Sequence, residues 1–345
     1  MQQIFGEMST LLPLSVRDGQ LADPANRTRV ARSLEILSRN GELLEQHAVR
    51  EDGEMHFLAR SMARDARRME LAYREERFER AGFLLQRITE NCVVCHARLP
   101  SDADSLIAQG FLEQDQFDKL GLEPRATLQT ATRRFDSALD TLEELLASPR
   151  SPVTLLGPLT DYLVVSIRVK SDYERPIPTL KRFAERPDVW TRLRTEVEFW
   201  IDVLPGLQAR AAGPPDLTTA RALLTEGHDM VEFAADRRWL AHLVVASAIL
   251  ENYIDSHPTP DPRLAEAYYL LGMTEARIGR NYWVTPAPFL LETSIRMAPG
   301  ESFARDAFAL LEQELLMSYE GSDYEEIPPE ERLVLDELQT LIARP

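Results

Sequence analysis

Residues 92–96 read Cys92-Val93-Val94-Cys95-His96, a C-x-x-C-H motif that contains the only two cysteines of the 345-residue chain. This pattern is typical of the covalent attachment of a c-type haem. Two thiols add to the vinyl groups of the haem, and the imidazole that follows binds the iron from one side. Positions i, i+3 and i+4 share one face of a helix. The motif therefore predicts a helix that presents both thiols and the imidazole to one flat cofactor.

Two other chemistries use a pair of cysteines at this spacing. A structural zinc site needs about four ligands, and no second Cys or His pair lies at zinc-finger spacing. A thioredoxin-like redox pair is expected within a βαβ unit, whereas the flanking sequence has the pattern of helices. The predicted cofactor is therefore one haem c per chain, attached through Cys92 and Cys95.

Composition and charge are those of a globular protein, with 44% hydrophobic residues, 28% charged residues and a formal net charge of −17. Residues 1–100 carry 15 Arg and no Lys against 15 acidic residues, whereas residues 101–345 carry 24 basic and 41 acidic residues. This asymmetry predicts two domains with different surfaces. Because no basic patch is available to neutralise phosphates, we expect no nucleic-acid partner.

The location of the protein is predicted from the motif. No apolar run reaches the ~18 residues that cross a membrane, and the sequence from Met1 lacks the basic and apolar regions of a signal peptide. Covalent haem nevertheless implies export to an oxidising compartment. We therefore expect a periplasmic or otherwise exported protein whose leader, or lipid anchor, has been removed. Membrane association is expected only through such a leader or anchor.

Four amphipathic helices are predicted in the first 100 residues from apolar positions that recur at i, i+3, i+4 and i+7. They cover about residues 1–15, 24–49, 54–74 and 76–100. Asp23-Pro24 is a favourable start for the second helix, since proline suits the first helical position. Four helices with short connections predict an antiparallel four-helix bundle, with the motif at the end of the fourth helix.

This arrangement resembles the class II c-type cytochromes, the cytochrome c-prime family, over about residues 1–100. Members of that family are four-helix bundles with C-x-x-C-H near the C-terminal end of the last helix. The resemblance implies that Cys92 and Cys95 form the thioether bonds and that His96 is the proximal iron ligand.

On the distal side of the haem, the resemblance implies either an apolar residue that shields the iron or a first-helix methionine that binds it. Met8 is the best match for such a ligand, and Met1 is a weaker candidate because chain termini fray. Met8 could instead fill the core, which is the usual role of methionine. In that case Leu11 and Leu12 would occlude the distal face.

Other polar side chains of this region are candidates for contact with haem. His47 and His56 could in principle bind iron, but both flank the same predicted loop, and we expect them to be exposed or to cap helices. Arg98, two residues after His96, is the best candidate to pair with a haem propionate, since arginine suits carboxylates. Further arginines could contribute to this pairing, although such a run is usually a solvated helix face: Arg60, Arg64, Arg67, Arg68 and Arg87.

Beyond the bundle, residues 101–123 predict an acidic connection, and residues 124–345 have the pattern of paired helices separated by proline-rich turns. The predicted helices cover about residues 124–148, 152–170, 175–186, 188–203, 216–230, 236–256, 261–279, 286–297, 301–318 and 329–343. Helix pairs that recur at roughly 35–40 residues predict an α-solenoid. The complete fold prediction is all-α, with a haem-binding bundle at 1–100, a linker at 101–123 and a repeat domain at 124–345.

One segment of the repeat domain, Tyr268–Pro299, resembles the tetratricopeptide repeat. Small residues such as Gly272 would let its two helices approach closely, and the proline would end the second helix. The segment departs from the family pattern by about three extra residues near 282–284 and by Glu275, which stands where the family has an aromatic residue. A looser match covers Ala220–Pro258.

The sequence contains no further chemical motif. It has no H-E-x-x-H, no glycine-rich phosphate loop and no G-x-S-x-G element, so we expect no enzymatic activity. His228, His242 and His257 lack metal-ligand spacing, and we interpret them as structural.

These observations favour a monohaem cytochrome that transfers electrons. Its repeat domain would dock to a redox partner protein or to a larger electron-transfer complex. A haem protein that binds NO or CO at an open distal site is one alternative, and a mainly structural repeat scaffold is another. The family resemblance also makes a homodimer a candidate assembly.

Overall fold

The computed structural model describes residues 2–15, 19–48, 53–82, 84, 85, 88, 120–131, 133–233, 236–257, 259–278, 286–319, 327 and 329–343. Within these ranges every regular element is a helix and no strand is present, so the predicted all-α fold class is confirmed. None of the helices in this part of the chain is long and apolar enough to cross a bilayer. The chain divides into two compact units, Met1–Ser148 and Pro149–Pro345.

The first unit begins with helices α1 (Gln2–Ser15), α2 (Arg27–Ala48) and α3 (Gly53–Arg74). Residues 78–82, 84, 85 and 88 are helical too. Helix α2 starts three residues after the predicted Pro24, because the Asp23 carboxylate accepts a hydrogen bond from the Ala25 N–H at 2.8 Å and holds a turn there. The predicted positions of α1 and α3 are close to those observed, and the part of the predicted fourth helix after residue 88 lies outside the described residues.

Two further helices, α4 (Leu122–Ala131) and α5 (Phe135–Ala147), complete the described part of the first unit. They replace the single helix predicted at about 124–148. Arg133 has a φ of 60°, and a helix of L-residues does not continue through that left-handed conformation. The chain therefore bends before Phe135.

One apolar core joins α1, α2, α3 and the helical residues between 78 and 88. Helix α2 approaches α3 closely at Gly41, where a Cβ atom would lie only 3.0 Å from the Cα of Ala63. Leu120 and Leu128 belong to the same core. The division between the two compact units accordingly falls after Ser148, whereas the predicted repeat domain began at residue 124. Residues 101–119 of the predicted linker lie outside the described residues.

The second unit begins with a short 3₁₀ turn (Pro152–Leu155), helix α6 (Leu156–Leu163) and a π-helical turn (Val164–Val169). These three elements correspond to the single helix predicted at about 152–170. The helices that follow lie close to their predicted positions, except that α8 continues to Ala211, beyond its predicted end at about 203: α7 (Pro176–Ala184), α8 (Thr191–Ala211), α9 (Leu217–Asp229), α10 (Leu240–Ser256), α11 (Pro262–Ile278), α12 (Ala287–Met297), α13 (Ser302–Tyr319) and α14 (Pro329–Ile342).

From α9 onward, consecutive helices contact each other, and three alternate pairs do so as well. Helix α9 contacts α11, α11 contacts α13, and α12 contacts α14. Gly272 of α11 fits against α12 with no room for a side chain, since a Cβ atom there would lie 2.9 Å from the Leu291 Cγ. A small residue at this position permits the close approach of the two helices.

Candidate functional site

The motif that predicts a haem site lies outside the part of the chain that the structure describes. This applies to Cys92, Cys95, His96 and Arg98. It also applies to Met1 and to the side chains of Leu12, His47, His56 and Arg87. The nearest described residue on the N-terminal side of the motif is Ile88, which precedes Cys92 by four residues and is fully buried.

Met8, the predicted distal ligand, lies in the same apolar core as Ile88. Its side chain is 2% exposed and is among the largest fully buried side chains of the chain. Leu11, the alternative residue for the distal face, is completely buried in this core too. The structure therefore brings both distal candidates into the core that the helical residues before the motif also enter. Because the motif lies outside the described residues, the structure gives no distance between it and Met8 or Leu11.

Two further methionines, Met62 and Met69 of α3, are buried in this core together with Met8. Sequence reasoning did not connect them with the site, although their spacing of seven places them on one face of α3. Thioethers are soft ligands that bind haem iron, and they also fill irregular gaps in a core. Met62 and Met69 are therefore interpreted as core side chains, whereas the thiols and imidazole of the motif and the buried Met8 thioether are donors of the kind that a c-type haem uses.

The arginines of α3 that were predicted to help pair with haem propionates differ in exposure and in their protein partners. Arg67 donates to Glu42 of α2 at 3.3 Å, so this guanidinium links two helices. Arg60 is exposed, whereas Arg64 and Arg68 are partly buried. The Arg64 Nε atom lies 3.7 Å from the carboxylate of Asp65, which is fully buried.

A buried ionic cluster lies on the π-helical turn of the second unit, and no local sequence pattern predicts it. Arg168 donates from Nη2 to Glu275 at 2.8 Å, and its Nη1 lies 3.6 Å from Glu251. Burial by itself lowers the pKa of Arg168, but the attraction of Glu275 and Glu251 outweighs that effect and raises the pKa above its ordinary value. Glu275, the residue at which the sequence differs from the tetratricopeptide pattern, is therefore the partner of a buried arginine.

A second polar group, which is partly buried, lies between α6, α8 and the turn before α10. Arg237 donates to the Thr160 hydroxyl at 2.5 Å and to the Leu156 carbonyl at 3.2 Å. Its backbone carbonyl accepts a bond from the Trp200 indole N–H at 2.8 Å. Burial lowers the pKa of Arg237, and Glu196 opposes that shift. These bonds connect α6 and α8 with the turn before α10.

The three histidines of the second unit are separate from one another. His257 stacks on Tyr253 with ring centroids 4.0 Å apart, and His228 lies beside Trp239 at 6.2 Å. His242 is buried on α10. Among the described residues, no group of three or more His, Cys, Asp or Glu side chains could hold a metal ion.

No protein-family model, no curated protein and no solved structure matches the chain.

Proposed function

We propose that the chain is a monohaem c-type cytochrome that transfers electrons, with the haem held at the end of a helical bundle of the cytochrome c-prime type. One observation carries the proposal. The only two cysteines of the chain form C-x-x-C-H, and this motif begins four residues after Ile88, a residue of the helical core that also buries Met8.

Each residue of the site has a distinct task in this proposal. The thiols of Cys92 and Cys95 anchor the cofactor, and His96 supplies the proximal imidazole. Met8 would supply a thioether from the opposite side, which favours a higher reduction potential. The apolar side chains around Met8 keep water away from it. When bound, the haem supplies one-electron redox chemistry.

The second unit would position the cytochrome on a redox partner protein or a larger electron-transfer complex. Its support is the sequence resemblance to tetratricopeptide repeats together with the contacts of α9 with α11 and of α11 with α13. Helices that stack in this way form extended surfaces that bind other proteins. We propose a binding role without catalysis, in an exported protein, and a homodimer is one assembly to be tested.

Covalent attachment of haem is the first property to test. The full-length chain is produced in a host that exports it and matures c-type cytochromes, then denatured and extracted with acidified organic solvent. We expect the colour to stay with the protein, because thioether bonds survive this treatment. The double variant Cys92→Ala, Cys95→Ala should lose its colour to the solvent, whereas His257→Gln, which removes an imidazole far along the chain, should keep it. Colour extracted from the wild-type protein would refute the proposal.

Electron transfer is then separated from gas binding by the absorption spectrum of the reduced protein. If the protein supplies both axial ligands, the spectrum is six-coordinate and low-spin and does not change when CO is added. A high-spin spectrum that shifts with CO would favour the gas-binding alternative.

A further inference from the structure

His242 lies where three helices of the second unit meet. Its side chain is buried on α10, and its ring stacks on Phe199 of α8 with centroids 6.1 Å apart and an interplanar angle of 22°. From α9, Gly227 reaches the base of the same side chain, since a Cβ atom on Gly227 would lie 3.2 Å from the His242 Cβ. The imidazole therefore fills a space bounded by α8, α9 and α10.

One ring nitrogen of His242 has no partner in this space. The Nδ1 atom is shielded from solvent and lacks a hydrogen-bond partner among the described residues. A neutral imidazole carries a hydrogen on only one nitrogen, whereas the protonated ring donates from both. A buried donor without an acceptor is unfavourable, so the described packing accommodates the neutral ring better than the charged one.

Two charged groups face the ring from the neighbouring helices, Glu226 on α9 and Arg210 on α8, and they form an ion pair with each other. Burial lowers the pKa of His242, Glu226 opposes this shift, and Arg210 adds to it. Because Glu226 is already engaged with Arg210, it can compensate a charged imidazole only by giving up part of that pair.

We propose that His242 is an acid-sensitive switch in the second unit, and that protonation of its ring loosens the packing of α9 against α8 and α10. An unfolded histidine has a pKa of about 6.5. With the folded pKa below that value, stability is complete above about pH 6.5 and is lost as the pH falls toward the folded pKa. Helix α9 is also tied to α11 by Arg221 and Glu266, at 2.6 Å. Protonation of His242 would therefore also disturb the contact of α9 with α11, the helix that in turn contacts α13.

Tryptophan fluorescence gives a readout specific to this unit, because all four tryptophans of the chain lie between residues 190 and 283. Urea unfolding of the full-length protein would be measured at about pH 7.5 and about pH 5, which lie on either side of the ordinary histidine pKa. The variants are His242→Phe, which keeps a ring against Phe199, and His228→Gln, which removes an exposed imidazole from α9.

In the wild-type protein and in His228→Gln, we expect a change from about pH 7.5 to about pH 5 to raise the unfolding equilibrium constant. The increase is about tenfold for each unit by which the pKa of His242 in the folded protein lies below that of an unfolded histidine, within the pH range tested. His242→Phe should lose this part of the pH dependence. Equal pH dependence in the wild type and His242→Phe would overturn the proposal. If His242→Phe does not fold, the histidine resonances of the wild type decide: titration of His242 at or above about pH 6.5 also overturns it.

Discussion

Both units have apolar cores, and they differ in the arginines that connect distant parts of the second unit. Around Met8 in the first unit, the helices share a core of leucine, isoleucine, alanine and methionine side chains. In the second unit, the buried side chain of Arg168 and the partly buried Arg237 connect elements that are far apart in sequence. An apolar core tolerates exchange of side chains of similar volume, whereas a buried ion requires its own partner. The first unit is therefore suited to holding a cofactor among adaptable side chains, and the second is suited to keeping one arrangement of helices.

The largest effect is expected from Arg168→Met. The change removes the guanidinium from the buried Glu275 and from the partly buried Glu251, and the loss of one partner of a buried ion pair costs about 3–5 kcal/mol. Urea unfolding followed by tryptophan fluorescence measures this loss in the second unit. The matched control is Arg296→Met, since Arg296 forms an exposed pair with Glu337, and exposed pairs contribute about 0–1 kcal/mol. An equal loss of unfolding free energy in the two variants would show that the buried ion pairs of Arg168 stabilise the second unit no more than an exposed pair does.

Met8→Ala should destabilise the first unit by about 2–5 kcal/mol, because it removes a buried side chain and leaves a cavity. Met8→Leu nearly conserves the volume and should cost less than about 1.5 kcal/mol. Circular dichroism during urea unfolding separates the two variants from the wild type.

If Met8 binds iron as proposed, both variants should also become high-spin and gain affinity for CO. Met69→Leu, which exchanges another methionine of the same core, should leave the spectrum unchanged. If Met8→Leu keeps the absorption spectrum of the wild type, Met8 is not an iron ligand and serves only as a core side chain.

Gly272→Ala tests how closely the helices of the second unit approach. The added Cβ atom would lie 2.9 Å from the Leu291 Cγ, and overpacking of this kind costs about 1–3 kcal/mol. Gly206→Ala is its control within α8, since no atom lies within 4 Å of the added Cβ there. Alanine should stabilise that helix by up to about 1 kcal/mol. Thermal unfolding of the two variants should therefore shift in opposite directions.

The smallest effect is expected at the start of α9. The Asp216 side chain accepts a hydrogen bond from the Thr219 N–H at 3.0 Å, and loss of such a cap costs about 1 kcal/mol. The bond from Thr219 is the main cause that lowers the pKa of Asp216. The folded pKa is thus below the unfolded one, so the stabilisation is present above about pH 4 and is lost as the pH falls below it. Asp216→Ala should be less stable at neutral pH and should approach the wild type in acid.

Helix positions were predicted well from the sequence because apolar periodicity is a local property. Helix α8 is an exception: its predicted end at about residue 203 lies before Pro205, yet the helix continues to Ala211. Proline disfavours a helix interior, but Leu204 and Leu207 are buried on either side of it and tertiary packing prevails. The break at Arg133 was missed because nothing in its residue type requires a positive φ.

Less of the candidate site could be predicted. Spacing alone identified the motif, since two cysteines and a histidine within five residues form a local pattern. The shared core of Met8, Met62 and Met69 depends on how α1 and α3 pack in three dimensions, which the periodicity of apolar residues does not specify. The partnership of Arg168 and Glu275 spans 107 residues. Only the folded chain brings such residues together.

The position of Leu120 and Leu128 in the first core has a practical consequence for dissecting the protein. A fragment that ends at residue 100 would lack both side chains and would leave part of that core exposed to water. Exposed apolar surface of this kind promotes aggregation. A fragment that ends at Ser148 keeps them, along with α4 and α5. Separate production of the proposed cytochrome should therefore divide the chain after Ser148.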